Sequence, residues 1–488
     1  MEKPHQPDEL TLDPQDWTEL RSLGHSMVDD MIDYLSSVAH RPVWQPPPAE
    51  VKQQLRTPAP TSPEGAASAY QDFRNNVLPY ALGNIHPRFW AWVIGSGSGL
   101  GMLSEMLAAT MNPNVGGGNH AAPLVEQQVL SWMKEALGFP QTASGLLVTG
   151  GSLANTLGMA VARHANAGFD VKTEGLFTAP SRLMFYGSSE THNSVVKGLQ
   201  LLGLGKNSFC PIAVTSAYKI NADALREAVR HHRGKGIRPI CVIGNAGTVN
   251  TGAVDDLSAL ADFCTAEKLW FHVDGAIGAP IAISPNLRPM LHGMERADSI
   301  AFDLHKWMHM PYDVGCILVR DEAQHRSTFS EPAGYLSHLP RGIASGDCWF
   351  SDYSPELSRG FRALKVWMCL KEHGLEKYGK LFEQNLAQAQ YLGELVRAQS
   401  QLELLAPIEL NIVCLRYVGN AQSEDHLTRL NQEILMRLHE QGIAAPSTAV
   451  LGGKFAIRVS IANHRSCRAD FDLLVREVLR LGKQIEAE

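Results

Sequence analysis

The stretch Ala297-Asp298-Ser299-Ile300-Ala301-Phe302-Asp303-Leu304-His305-Lys306-Trp307 decides how the chain is read. Its apolar run, Ile300 to Phe302, has the character of a buried strand end, and a His-Lys pair follows at the mouth of that strand. An ammonium group among apolar and aromatic neighbours is costly unless it is paired. That favours the neutral amine, which is a nucleophile for a carbonyl carbon. A His-Lys pair alone marks no more than the end of a surface strand, so its meaning depends on its surroundings.

From Gly145 to about Val319, apolar strand-like runs alternate with helix-like runs. The strands are expected at Leu146 to Val148, Leu183 to Phe185, Ile240 to Gly244, Trp270 to Val273 and Cys316 to Val319. Such alternation predicts βαβ units and a mostly parallel sheet with helices on both faces, whose ligands sit beyond the carboxyl ends of the strands. After Phe361 the pattern turns helical (Arg362 to Glu372, Tyr378 to Ala398). Strands (Glu409 to Tyr417, Ala456 to Ile461) and helices (Glu424 to His439, Ala469 to Leu481) follow. The fold class is therefore α/β: a large sheet domain over 86–372 and a small C-terminal α/β domain over 373–488. Residues 1–85 form an N-terminal helical segment. In it, Leu20, Leu23, Met27, Met31, Tyr34, Leu35 and Val38 recur at helical spacing between Asp16 and Ala39, and a second helix is expected from Ser68 to Val77. This segment has too little apolar mass for its own core, so it is expected to pack on a partner subunit.

The chain has 488 residues, 44% hydrophobic and 19% charged, with a formal net charge of -7, and no stretch concentrates Lys and Arg as a nucleic-acid surface would. Its eight cysteines lack metal-ligand spacing and read as small core residues of a reducing compartment. The polar, Pro-rich start is no signal peptide, and no apolar run approaches the roughly 20 residues that span a bilayer. No metal site and no nucleic-acid or membrane partner is expected, and the location is read as cytoplasmic.

Chemistry gathers at the expected strand ends. Thr149-Gly150-Gly151-Ser152 joins a strand to a helix; its glycines admit an anion, Ser152 can cap the helix, and the helix N-terminus favours a phosphate. Leu269-Trp270-Phe271-His272-Val273-Asp274-Gly275-Ala276 ends a buried strand on a carboxylate that needs a cationic partner. A pyridinium nitrogen is such a partner, and Gly275-Ala276 leaves room for a flat ring. His192 can stack on that ring opposite Ala276, and Thr248 offers a hydroxyl. Phe89, Trp90 and Trp92, with the small-residue turn from Gly95 to Gly99, suit a pocket wall, and Phe89, Trp92 and Gly95 are the candidate substrate-binding residues. An anion site, a carboxylate, an aromatic stacker and a nucleophilic lysine together point to pyridoxal 5'-phosphate (PLP) held covalently at Lys306.

In order and spacing these residues resemble the group II pyridoxal-phosphate-dependent decarboxylases, especially the aromatic-L-amino-acid decarboxylase branch. The likeness is collinear from about Trp17 to Leu481. It is carried by His86-Pro87-Arg88-Phe89, Thr149-Gly150-Gly151-Ser152, His192, Gly247-Thr248, His272-Val273-Asp274-Gly275-Ala276 and His305-Lys306-Trp307. The resemblance implies PLP-dependent fold type I and a domain-interlocked homodimer whose N-terminal helices wrap the other subunit. It implies that Lys306 binds the cofactor aldehyde, Asp274 partners the ring nitrogen and His192 stacks on the ring. Gly151 and Ser152 would bind the phosphate with His305 beside it, and Thr248 would lie near the ring hydroxyl. Tyr335, in Gly334-Tyr335-Leu336-Ser337-His338, matches the loop tyrosine that protonates the α-carbon. The implied reaction is decarboxylation of an L-amino acid, of the aromatic class, to its amine and carbon dioxide. A decarboxylation-dependent aldehyde synthase and an acidic-amino-acid decarboxylase are the alternatives.

Two departures bear on the site. Asp303 stands where many members have Asn, and a carboxylate beside a phosphate must point away, be protonated or bind backbone N–H groups. Trp92-Val93 stands where the aromatic branch often has Tyr-Phe, and the loop Gly116-Gly117-Gly118-Asn119-His120 is unlike that branch.

Overall fold

The computed structural model describes residues 10–331, 339–420 and 423–488. Twelve strands appear among them: β1 (Phe89–Trp90), β2 (Ser144–Val148), β3 (Leu183–Ser188), β4 (Phe209–Ile212), β5 (Arg238–Asn245), β6 (Trp270–Asp274), β7 (Ser299–Asp303), β8 (Gly315–Val319), β9 (Leu402–Leu404), β10 (Ile412–Tyr417), β11 (Ala445–Leu451) and β12 (Lys454–Ser460). Seven form one sheet in the order β2-β8-β7-β6-β5-β3-β4. Its inner pairings β3–β5, β5–β6 and β6–β7 are parallel, while β8 runs antiparallel to both β7 and β2. Every residue of β6, β7 and β8 is buried, as expected of strands covered on both faces by helices. The expected strands all form, each within a few residues of its expected bounds.

The helix Gly151–Asn166 crosses this sheet with an unbroken buried run from Ala154 to Ala162. Gly158 makes the close crossing possible, since a Cβ there would lie 2.6 Å from the His272 ring. A fully buried ion pair locks the flank of the sheet. Arg359 Nη2 lies 2.6 Å from Glu126 Oε1, and the same carboxylate accepts the Leu147 N–H at 2.9 Å. Such a pair fixes one arrangement strongly, because removing either partner would strand a buried charge.

A second sheet, β1-β11-β12-β10-β9, carries its own core under the helices Glu424–Glu440 and Arg468–Ala487. Its edge strand β1 comes from residues expected in the large domain, and it pairs in parallel with β11. The helix Ala363–Arg397 runs past residue 373 with a single break at Gly374 (φ 68°), so the expected boundary falls within a helix and not in a linker. At the N-terminus, Trp17–Ser36 forms the expected helix, capped by Asp16, and it buries none of its residues in this chain. The second expected helix begins at Ala66, keeps α geometry to Asp72 and continues as one wider π turn over Phe73–Val77.

Burial also sets a pH dependence. His272 is pushed down to about 3 and His325 to about 4, both by desolvation. Both folded values lie below the ordinary 6.5, so on acidification the unfolded chain takes up protons that the folded chain refuses. The stability they contribute is complete above about pH 6.5 and is lost as pH falls toward 4, at up to ~1.4 kcal/mol per pH unit for each ring. Urea midpoints should fall between pH 7 and pH 5, and the His325→Phe variant should show a shallower fall.

Candidate active site

The carboxyl ends of β2, β3, β5, β6 and β7 open onto one cleft. Two adjoining cavities of about 300 and 360 Å³ share His192, Asp274, Ala276 and Lys306 in their walls. Sequence-remote residues thus meet where a twisted parallel sheet exposes its strand ends.

Lys306 does not stand unpaired. Its Nζ lies 2.7 Å from Asp303 Oδ2, and the other oxygen of that carboxylate accepts the Gly151 N–H at 2.6 Å. Of the options open to Asp303, this is the backbone-bound one: an acceptor at the positive end of the helix Gly151–Asn166. The helix cap is Gly150, with no side-chain cap bond of its own, so Ser152 lies inside the first turn and does not cap it. Glycine is needed at 151 because a Cβ there would lie 2.6 Å from Asp303 Oδ2. Ser152 and His305 line the same cavity. His305 Nδ1 accepts the Val314 N–H at 3.1 Å, which turns Nε2 toward Asp303, and burial holds the imidazole below its usual value.

Asp274 ends β6 with two donors on its carboxylate. Asn155 Nδ2 donates to Oδ2 at 2.9 Å and the Ala276 N–H to Oδ1 at 3.2 Å. His192 caps the helix Asn193–Leu201, its Nδ1 accepting the Ser194 N–H at 3.2 Å. That bond leaves the ring hydrogen on Nε2, and burial lowers the affinity of the ring for a second proton.

Three expected residues are placed elsewhere. Thr248 is buried beside the cleft, but its hydroxyl accepts the Ala253 N–H at 3.1 Å and bonds Thr251, because the tight turn after Gly247 needs that acceptor. Phe89 packs with Val43, Ala91 and Ala445, its strand being drawn into the second sheet. Gly95 lies against the carbonyls of His305 and Lys306, where a Cβ would be 2.1 Å from an oxygen, so it supports the lysine loop from behind. Trp92, 58% exposed, does line the cleft. Tyr335 lies outside the described residues. The chain just beyond it docks on the glycine triplet: Asn119 N–H donates to Ile343 O at 3.0 Å, and the Trp349 ring covers Gly117, where a Cβ would clash at 2.3 Å.

Sequence reasoning missed Asn155 and Arg458. Arg458 lines the cleft, only 2% exposed, and donates through Nη1 to Trp92 O at 2.8 Å, while Nη2 has no partner among the described residues. Desolvation lowers it to about 10. An asparagine within the largely apolar run Leu153 to Ala162, and a charge inside the run Phe-Ala-Ile-Arg-Val-Ser, were the available signals.

This donor set fits pyridoxal phosphate. An amine and a carboxylate share the cleft walls, and Asp274 keeps lone pairs for a ring N–H. The first-turn N–H groups of Ser152 and Leu153, which have no acceptor within the helix, suit a phosphate. Replacing Asp303 by Leu should cost about 2–3 kcal/mol in the urea unfolding of the cofactor-free protein, since it strands Lys306 and uncaps Gly151. Asp303→Asn, which keeps an acceptor, should cost less than half as much.

Comparison with known proteins agrees. Residues 48–418 match the model of the pyridoxal-dependent decarboxylase conserved domain. The chain is 32% identical over 471 residues to an aromatic-L-amino-acid decarboxylase of Bacillus atrophaeus, covering 96% of each protein. It is 29% identical to a phenylacetaldehyde synthase of Arabidopsis thaliana, covering 92% of this chain and 93% of that one. A solved structure of Oryza sativa TDC with PLP and tryptamine superposes with a TM-score of 0.89 at 26% identity, covering 97% of this chain and all of the other. With a fold-type-I architecture, the chain belongs to the pyridoxal-dependent decarboxylase family and is a PLP-dependent amino-acid decarboxylase.

Proposed function

We propose that the protein decarboxylates an aromatic L-amino acid to the corresponding amine and carbon dioxide. The observation that carries this reading is that Lys306, Asp274 and His192 share one cleft with the indole of Trp92, a flat apolar wall for an aromatic side chain. The names of the Bacillus atrophaeus and Oryza sativa relatives support the same class.

Pyridoxal phosphate, when bound, supplies an electron sink for the pair released as carbon dioxide leaves. The residues of the chain do the rest. Lys306 would hold the cofactor by its aldehyde and would yield that place to the substrate amine. Asp274 holds a proton at the ring nitrogen. His192, neutral with its hydrogen on Nε2, covers the ring without adding charge. Arg458, whose buried Nη2 has no partner among the described residues, would be the donor to a substrate carboxylate. Tyr335 would deliver the proton to the α-carbon.

The protein works as a homodimer in the cytoplasm. No residue of the helix Trp17–Ser36 is fully buried within its own chain, and Met106, Leu107 and Met111 are exposed on the helix Gly99–Met111, so both faces suit a second copy. Eight unpaired cysteines suit a reducing compartment.

The test is to incubate PLP-loaded protein with a panel of amino acids and measure carbon dioxide and amine. Amine from Trp, Tyr or Phe is expected, and amine from Glu or Asp alone rejects the aromatic reading. Ammonia, hydrogen peroxide and aldehyde in place of amine would assign the chemistry named for the Arabidopsis thaliana relative. Tyr335→Phe should lower amine output about 10²–10⁴-fold, the usual contribution of a general acid. Sedimentation should show a dimer.

A further inference from the structure

We propose that Trp270, Ser299, His272 and Asn155 form one directional hydrogen-bond chain that ends on Asp274 and sets the proton at the cofactor's ring nitrogen, with His272 and Asn155 as positioning residues. This rests on the reading that the ring nitrogen faces Asp274.

The chain spans β6, β7 and the helix Gly151–Asn166. Trp270 Nε1 donates to Ser299 Oγ at 2.8 Å, and Ser299 Oγ lies 2.7 Å from His272 Nδ1. His272 Nε2 lies 2.8 Å from Asn155 Oδ1, and Asn155 Nδ2 reaches Asp274 Oδ2 at 2.9 Å. Ser299, His272 and Asn155 are at most 1% exposed and Asp274 is 5% exposed, so bulk water does not compete along it.

Donor and acceptor chemistry allows only one direction. An indole N–H donates and a carboxylate accepts, so both ends are fixed. Asn155 must therefore turn to Asp274 its NH₂, a group that also donates to Ser194 Oγ at 3.3 Å, and present its oxygen to His272. His272 then carries its hydrogen on Nε2. Burial keeps the imidazole neutral, so Nδ1 is a lone pair and the Ser299 hydroxyl donates to it. A flipped amide would set a carbonyl oxygen against the carboxylate and leave the Ser299 hydroxyl hydrogen without an acceptor in the chain. Gly158 lets the helix approach closely enough for this contact: a Cβ there would lie 2.6 Å from His272 Cε1. Each group thus orders the next, and the last delivers an N–H to the carboxylate that partners the ring.

The test uses holoenzyme reconstituted with PLP carrying ¹⁵N in the ring, whose ¹⁵N resonance reports the ring proton directly. In His272→Phe the resonance should move toward that of an unprotonated pyridine, while borohydride still fixes the cofactor to Lys306. Its kcat should fall about 10- to 100-fold, as when other outer-shell partners are lost, with KM changing less than twofold. His272→Gln places an amide donor and acceptor in the same space and should restore the wild-type resonance. A folded, borohydride-fixable His272→Phe with the wild-type resonance overturns the proposal. If that variant does not fold, Ser299→Ala, which removes one hydroxyl far from the cofactor, is read the same way, and an unchanged resonance overturns the proposal too. A wild-type resonance that is already unprotonated would instead refute the Asp274 pairing.

Discussion

One buried carboxylate, Asp303, holds together the parts on which the rest of the site depends. It ends β7, accepts the first N–H of the helix that follows β2, and neutralises Lys306 within one turn of its own backbone. A strand end, a helix start and the Lys306 amine are thereby fixed to a common point. The pairing also explains how a lysine can sit at the mouth of a buried strand: its charge is compensated until the amine is needed. The carboxylate occupies only the first N–H of the helix, so the anion-binding character of the next ones is kept.

Around that point the sheet supplies order and the helix Gly151–Asn166 supplies closeness. Parallel strands bring Ser188, Asn245, Asp274 and Asp303 to one edge, and sequence distance ceases to matter there. The helix is nearly featureless in hydrophobic terms, yet it carries Asn155 to Asp274 and Gly158 to His272. The run Trp270, Ser299, His272, Asn155 and Asp274 is hydrogen-bonded from end to end, the condition under which buried polar groups rigidify a fold.

Much of this could be read in the residues. Long apolar runs such as Trp270–Val273 announce central strands, and the residue types at their ends announce chemistry. What escaped has physical causes. Strand β4 contains Pro211 and lies at the sheet edge, paired only with β3, so its composition argues against a strand that the edge tolerates. Strand β11 carries Pro446 and small polar residues, and its pairings with β12 and β1 define it. Ser152 and Thr248 have the right chemistry, but the helix begins two residues earlier than a serine cap would need, and a turn claims the threonine hydroxyl. Asn155 and Arg458 were hidden because nothing local shows which polar residue in an apolar run faces a ligand.

The two-residue strand β1 has a mechanical meaning. It is stitched to β11, and Trp90 stacks on Phe471 in the second core, yet Trp92 just beyond it walls the cleft and is held there by Arg458. The smaller sheet therefore cannot swing away as a hinged jaw without tearing out the wall of the pocket. The wall of the pocket and the smaller sheet thus form one mechanical piece.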